Sequence, residues 1–133
     1  MSHSQIAPSG FAELIGTEWL DLDPDGARAR LQVRPHHLQP FGIVHGGVYA
    51  SLAESLCSAA THNEVAAREM VAIGMANSST FLRPISEGHV HASAVARHRG
   101  STTWVWDVEL QDDDDRLCAL VRMTIAVRPR RVP

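Results

Sequence analysis

The chain has 133 residues, of which 44% are hydrophobic and 20% charged, and its formal net charge at pH 7 is -3. This length fits one domain with a single core, and the composition is typical of a globular protein rather than of a disordered chain. The small negative charge gives no electrostatic reason to expect nucleic acid or an anionic membrane as a partner.

The sequence also lacks the marks of an exported or membrane-spanning protein. No apolar run approaches the length needed to cross a bilayer, and the first residues lack the basic segment and apolar stretch of a secretion signal. The two cysteines, Cys57 and Cys118, each stand among apolar residues, so we expect buried free thiols rather than a disulfide. A cytoplasmic location is therefore expected.

The first third of the chain predicts a loose end, a helical turn and two strands. Residues 1–10 are polar and contain proline and glycine, so we expect a loose segment there, followed by a single domain over 11–133. Residues 11–15 are predicted to form a helical turn that tucks two or three apolar side chains inward. Alternating apolar and polar residues, and a turn rich in proline and glycine, predict strands at 19–22 and 27–33.

The segment 46–61 differs in composition from the residues before it: it is rich in small and apolar residues and contains no proline. We expect one helix of about four turns that starts near the paired glycines Gly46 and Gly47. Apolar residues fall on nearly every side of this helix, which indicates that it is buried on most of its surface.

The remainder of the chain predicts antiparallel strands joined by turns. Alternation and β-favouring residues predict strands at 71–82, 89–96, 103–110 and 117–127. The four aspartates at 112–115 fit a solvated hairpin tip better than a calcium loop, which needs spaced ligands and a glycine. One buried helix and a run of such strands predict an α+β domain in which a curled antiparallel sheet wraps around one long central helix.

Glu54 stands in the middle of this helix among apolar neighbours, where an ionised carboxylate is costly unless it is paired or reached by water. It either points to solvent through a gap in the packing or serves chemistry in a cleft. Ser58 follows four residues later on the same face of the helix, so the two side chains can share a water molecule.

The start of the same helix offers a second chemical feature, the sequence His45-Gly46-Gly47. Backbone N–H groups at a helix N-terminus lack intrahelical acceptors, and the helix dipole favours negative charge there. The glycines let a substrate approach the backbone, so the Gly46 N–H could stabilise the oxyanion that develops on a thioester carbonyl. His45 could instead merely cap the helix or pack against it.

The stretch LQPFGIVHGGVYASLAESLCS, residues 38–58, resembles the signature of hotdog-fold thioesterases. The most similar group contains 4-hydroxybenzoyl-CoA, phenylacetate-pathway and 1,4-dihydroxy-2-naphthoyl-CoA thioesterases. The likeness continues through FLRP at 81–84 and covers about residues 20–127. The resemblance implies the hotdog fold and hydrolysis of an acyl- or aroyl-CoA thioester to the free acid and CoA, without a cofactor.

The resemblance also implies roles for particular residues. Glu54 would be the nucleophile or general base, and the Gly46 N–H would polarise the carbonyl with help from Gln39 and His45. Ser58 would position the hydrolytic water. Four residues are candidates for binding the substrate: Gly47, Tyr49, Phe81 and Arg83. Gly47 would give access to the helix backbone, Tyr49 and Phe81 would line the acyl pocket, and Arg83 could contact a CoA phosphate.

The resemblance implies that two subunits build each site. Their sheets would join in a homodimer, so that Glu54 faces the 39–46 loop of the other chain, and such dimers often pair into tetramers. Two other functions stay open: a hotdog hydratase or dehydratase, and a non-catalytic acyl-CoA sensor. The eight histidines show no spacing that suggests a third metal ligand beside His89 and His91, so no metal site is expected.

Overall fold

A helix of 20 residues packs against one face of a six-stranded antiparallel sheet in the computed structural model, which describes residues 7–131. The strands lie in the order β1-β2-β4-β5-β6-β3, so β1 and β3 form the two edges. The elements are α1 (Gly10–Leu14), β1 (Glu18–Leu22), β2 (Gly26–Gln32), α2 (Gly46–Val65), β3 (Met70–Phe81), β4 (His89–Arg99), β5 (Thr103–Gln111) and β6 (Leu117–Pro129).

Helix α2 is the centre of the core. Its buried positions recur at intervals of three and four residues, as expected for a helix with one wide apolar face: Tyr49, Leu52, Ala53, Leu56, Cys57, Ala60, Thr61 and Val65. The helix starts at Gly46 as predicted but runs one turn beyond the predicted end at residue 61. The extension follows from the burial of Val65, which adds apolar contact at the end of the helix.

The sheet supports the helix through large side chains on its inner face. Trp106 on β5 is fully buried, and its indole Nε1 donates a hydrogen bond of 2.9 Å to the Thr61 hydroxyl of α2. Trp104 is also buried, with its ring centroid 6.0 Å from that of Trp106. This arrangement confirms the predicted α+β class, a curled antiparallel sheet around one long helix, and it is the hotdog arrangement that the resemblance implied.

Strand β3 differs from the predicted alternating pattern. Most of its residues are exposed on both faces of the sheet, including Ile73 and Met75, which are 55% and 56% exposed. Its pairing with β6 shifts register between Gly74 and Ala76, which indicates a β-bulge. The predicted strand is confirmed, but its burial does not alternate, because β3 lies at the edge of the sheet and Asn77 and Ser79 on its face toward α2 line an open cleft.

The N-terminal prediction is also wrong in part. Helix α1 exposes Phe11 and Leu14, which are 60% and 72% exposed, and only Ile15 at its end is buried. With five residues, α1 is too short to bury a full apolar face. Of the predicted loose segment, residues 1–6 lie outside the described part of the chain.

Two smaller predictions are confirmed. Cys57 and Cys118 are free and buried. The aspartates at 112–115 form a tight turn between β5 and β6, in which the Asp112 carboxylate accepts hydrogen bonds from the backbone N–H groups of Asp114 and Arg116. In the described residues, no helix is long and apolar enough to cross a membrane.

Candidate active site

Glu54 lies in an open cleft between the middle of α2 and strand β3. The cleft is lined by residues of α1, α2 and β3, namely Phe11, Ala50, Ser51, Glu54, Ser55, Asn77 and Ser79. Glu54 is exposed in the protomer, so its carboxylate avoids the desolvation cost that its apolar sequence neighbours suggested. The helix thus buries Ala53 and Leu56 and presents the Glu54 carboxylate to the cleft.

The cleft gives this carboxylate a defined position. The Asn77 side-chain amide on β3 donates a hydrogen bond of 3.3 Å to Glu54 Oε1 and one of 3.0 Å to the Ala50 carbonyl oxygen. The Ser79 hydroxyl in turn donates to Asn77 Oδ1 at 2.7 Å. A long, exposed glutamate is therefore tied to the adjacent strand.

Gly74 provides the space for the second carboxylate oxygen. A Cβ atom built on Gly74 would lie 3.1 Å from Glu54 Oε2, closer than ordinary van der Waals contact. The carboxylate therefore rests directly on the backbone of β3 beside the bulge. Any larger side chain at position 74 would displace it.

The start of α2 forms a separate part of the candidate site. His45 is the N-cap residue, and its ring Nδ1 accepts a hydrogen bond of 2.8 Å from the Gly47 backbone N–H. The ring therefore keeps its proton on Nε2 when neutral. The N–H of Gly46, the first helical residue, is oriented without an intrahelical acceptor and is available to a ligand.

A second cleft opens beside this helix start. It contains five of the predicted site residues, Gln39, Gly46, Tyr49, Phe81 and Arg83. The Phe81 ring lies so close to the Gly46 backbone that a Cβ on residue 46 would be 2.6 Å from it. The Tyr49 ring is 5.9 Å from that of Phe81, centroid to centroid, so the two aromatic rings form one wall.

The two clefts lie at different points along α2, one at its start and one at its middle. Glu54 follows Gly46 by eight residues, which corresponds to about 12 Å along a helix. An oxyanion donor and an attacking group must each lie about 3 Å from the same carbonyl group. The Glu54 cleft and the cleft at the helix start have no lining residue in common.

The local electrostatics identify which groups can take part in chemistry at neutral pH. Burial raises the pKa of Tyr49 to about 12, so its hydroxyl stays protonated and can only form hydrogen bonds. Burial, with the nearby charge of Glu54, also raises the pKa of the Cys57 thiol. Because the thiolate is the nucleophilic form, Cys57 is inert despite its position next to the Glu54 cleft.

The structure brings most, but not all, of the predicted residues together. Ser58 is half-buried and does not line the Glu54 cleft, where Ser51 and Ser55 provide hydroxyl groups instead. Sequence reasoning missed Asn77 and Ser79. The run of four polar residues at 77–80 marks a polar segment of β3, but it does not indicate which face of the strand meets Glu54.

The histidines form one further cluster outside the two clefts. His89 and His91 share a face of β4, and His91 Nε2 lies 2.8 Å from Asp113 Oδ1 in the β5–β6 turn. This contact lowers the pKa of Asp113. Across residues 7–131, no group of three or more His, Cys, Asp and Glu side chains is arranged to hold a metal ion.

Comparisons with known proteins give a consistent result. The thioesterase superfamily model matches residues 41–119. The 1,4-dihydroxy-2-naphthoyl-CoA hydrolase of Listeria monocytogenes is 34% identical over 92% of this chain and 98% of its own length. A mutant thioesterase from Pseudomonas aeruginosa superposes with a TM-score of 0.84 at 36% identity, covering 89% of this chain and 85% of that one. A solved structure from Mycobacterium tuberculosis gives 0.85 at 37% identity, with 92% and 98% covered.

Proposed function

Because the chain belongs to the thioesterase superfamily, and so hydrolyses an acyl- or aroyl-CoA thioester to the free acid and CoA, we propose that Glu54 supplies the carboxylate for this reaction. The observation that carries the proposal is the position of that carboxylate. It is exposed in an open cleft, yet it is hydrogen-bonded to Asn77 and rests on Gly74. A glutamate that merely pointed to solvent would have no reason to be held in this way.

The carboxylate can act in either of two ways. As a nucleophile, Glu54 attacks the thioester carbonyl carbon, the C–S bond breaks with CoA leaving as the thiolate, and water then hydrolyses the mixed anhydride. As a general base, Glu54 removes a proton from a water molecule that attacks the same carbon, the C–S bond breaks, and the leaving thiolate takes up the proton from Glu54. Both routes need an ionised carboxylate and one water molecule per turnover, and neither needs a metal ion.

The start of α2 would stabilise the transition state. The Gly46 N–H is placed to donate a hydrogen bond to the carbonyl oxygen as negative charge develops on it. Gln39 lines the same cleft, and its side-chain oxygen accepts the Phe41 N–H, so its amide NH₂ would be the group that donates to the substrate. The Nδ1 of His45 accepts the Gly47 N–H, so its Nε2–H would be a second donor at the helix start.

A homodimer would bring the Glu54 cleft of one chain next to the Gly46 cleft of the other, so that together they form one active site. Strand β3 is a long edge strand that exposes Ile73 and Met75, and an exposed apolar edge of this kind pairs readily with another strand. Glu54 lies directly behind β3, so a partner joined at this edge approaches the Glu54 cleft. We therefore propose that Glu54 of one chain works with Gln39, His45 and Gly46 of the other, in a dimer or a dimer of dimers.

The second cleft would hold the part of the substrate next to the thioester. The rings of Tyr49 and Phe81 offer an apolar wall, and Gly47, the second residue of α2, would let the substrate approach the helix backbone closely. Arg83 is exposed at the same cleft and could contact a CoA phosphate. Ser58 would position the hydrolytic water from the next turn of α2, whereas Ser51 and Ser55 line the Glu54 cleft itself. The free, buried thiols of Cys57 and Cys118 suit a reducing compartment and support a cytoplasmic location.

The experiment measures release of free thiol from aromatic, short-chain and long-chain acyl-CoAs. Turnover by Glu54→Gln should fall by a factor of roughly one hundred or more, while substrate still binds because the amide fills the same space. Glu64→Gln makes the same change at another exposed position of α2 and should have normal activity. A hydratase, a dehydratase or a sensor would release no thiol, and normal turnover by Glu54→Gln would refute the role of Glu54.

A further inference from the structure

Asn77 is the side chain that links strand β3 to the catalytic helix. Its amide NH₂ group donates both of its hydrogens to α2, one to the Ala50 carbonyl oxygen at 3.0 Å and one to Glu54 Oε1 at 3.3 Å. Position 50 precedes position 54 by one helical turn, so the amide spans that turn and contacts both of its ends.

Only one orientation of the Asn77 amide satisfies all of its neighbours. The Ala50 carbonyl and the ionised Glu54 carboxylate are both acceptors, so the group that faces them must be the NH₂ donor. The amide oxygen then faces the Ser79 hydroxyl, which donates to it at 2.7 Å. Ser79 therefore holds the amide with its donors toward the helix.

The two oxygens of the Glu54 carboxylate consequently differ. Oε1 accepts the hydrogen bond from Asn77, whereas Oε2 lies against the Gly74 backbone. Because Asn77 takes up one oxygen, the other keeps its lone pairs for a substrate carbon or a water proton. The hydrogen bond also removes the rotamer freedom of an exposed glutamate before substrate arrives.

We propose that Asn77, oriented by Ser79, is a positioning residue that fixes the Glu54 carboxylate and leaves Oε2 as the oxygen that reacts. This inference rests on the proposed function, since it assigns a role relative to catalysis by Glu54. It goes beyond it by adding two residues of β3 and by distinguishing the two carboxylate oxygens.

The alternation of β3 supplies a matched control. Asn77 and Ser79 are two residues apart and share the face toward Glu54, whereas Ser78 between them lines a surface groove with Arg97 and Arg122 on the other face of the sheet. Ser78→Ala changes the same strand without touching the Glu54 cleft, so its kcat and KM should equal those of the unaltered protein.

The test compares kcat, KM and melting temperature for three variants. Asn77→Ala should lower kcat roughly 10- to 100-fold with KM changed by less than about threefold, because the carboxylate loses its position but the substrate cleft is intact. Asn77→Asp keeps the shape but places a second carboxylate against Glu54, so its kcat at neutral pH should be lower still. Ser79→Ala should also lower kcat with little change in KM, but by a smaller factor than Asn77→Ala, because the amide keeps its bonds to α2 and loses only the donor at Oδ1. Melting temperatures should stay close to that of the unaltered protein, since Asn77 is exposed.

A double-mutant comparison separates this inference from the proposed function. If both hold, adding Asn77→Ala to Glu54→Gln causes no further loss of kcat, because the positioned group is already absent. An inactive Glu54→Gln together with a fully active Asn77→Ala and Asn77→Asp would overturn the positioning role alone. A fully active Glu54→Gln would overturn the proposed function. A kcat loss in Asn77→Ala that persists undiminished on the Glu54→Gln background would show that Asn77 acts through another group.

Discussion

A Cβ atom on Gly74 would lie 3.1 Å from the Glu54 carboxylate oxygen Oε2. Glycine weakens a strand, because it has no side chain to pack and loses more chain entropy on folding than other residues. At position 74 it permits the carboxylate of the adjacent helix to rest on the strand beside the β3 bulge. The Glu54 carboxylate, the candidate nucleophile, can therefore occupy this position because residue 74 has no side chain.

Gly74→Ala is expected to lower kcat about tenfold, because the added methyl group must push the carboxylate away by a few tenths of an ångström or more. The melting temperature should hold or rise, since alanine restricts the unfolded chain. Gly26→Ala in β2 is the control, because a Cβ there would meet only the Ala94 carbonyl oxygen at an ordinary 3.6 Å. A folded Gly74→Ala protein with unchanged kcat would show that this contact has no part in catalysis.

Gly46→Ala is expected to raise KM and lower kcat/KM, because its Cβ would lie 2.6 Å from the Phe81 ring and must displace it. Phe81→Leu on the same background makes room and should recover part of the loss. The measurement is the kinetics of both single variants and the double variant. Strictly additive losses would contradict a direct contact between the two residues during catalysis.

The protein is expected to be at least a dimer, because residues 46 and 54 are separated by a rise of about 12 Å along α2 and line different clefts. Sedimentation should give a mass of at least twice the 14.5 kDa of the chain. A mixed dimer of a Glu54→Ala chain with a chain that carries Gln39→Ala and His45→Ala should recover one working site in two. A fully active monomer, or no recovery in demonstrated mixed dimers, would contradict catalysis across the interface.

Acidification is expected to weaken the fold through His37. The buried ring accepts a hydrogen bond from the Arg34 N–H at Nδ1, and its Nε2 lies 2.8 Å from the Ile15 carbonyl oxygen, an arrangement that requires the neutral ring. Burial lowers the pKa of His37 in the folded state. Below the unfolded-state value of about 6.5, the unfolded chain therefore binds a proton that the folded chain does not, and the free energy of unfolding falls.

Urea unfolding at about pH 7.5 and about pH 5, at equal protein concentration, measures this effect. His37→Gln should show a smaller loss between the two pH values than the unaltered protein does. His36→Gln, at the exposed neighbouring position, is the control and should behave like the unaltered protein. An equal loss in His37→Gln would assign the pH dependence to other groups.

The sequence by itself determined the helix and the sheet. A run of small and apolar residues after a pair of glycines predicts a buried helix, and alternation predicts strands, because helix and strand periods depend only on local geometry. The same local reasoning predicted that the Glu54 carboxylate lies in the middle of the helix and that the Gly46 N–H at its start has no intrahelical acceptor. It failed for the burial of β3, since whether an alternating strand is covered depends on its place in the sheet.

Only the tertiary structure decided what surrounds the carboxylate. Asn77 and Gly74 are 23 and 20 residues beyond Glu54 in the chain, and they reach it because β3 pairs with β6 while packing on α2. The bulge near Gly74 sets which side chains of β3 face the helix, and no local pattern in the sequence marks it. The separation of the two clefts likewise follows from the geometry of α2. Residues 46 and 54 are about two helical turns apart, whatever their side chains.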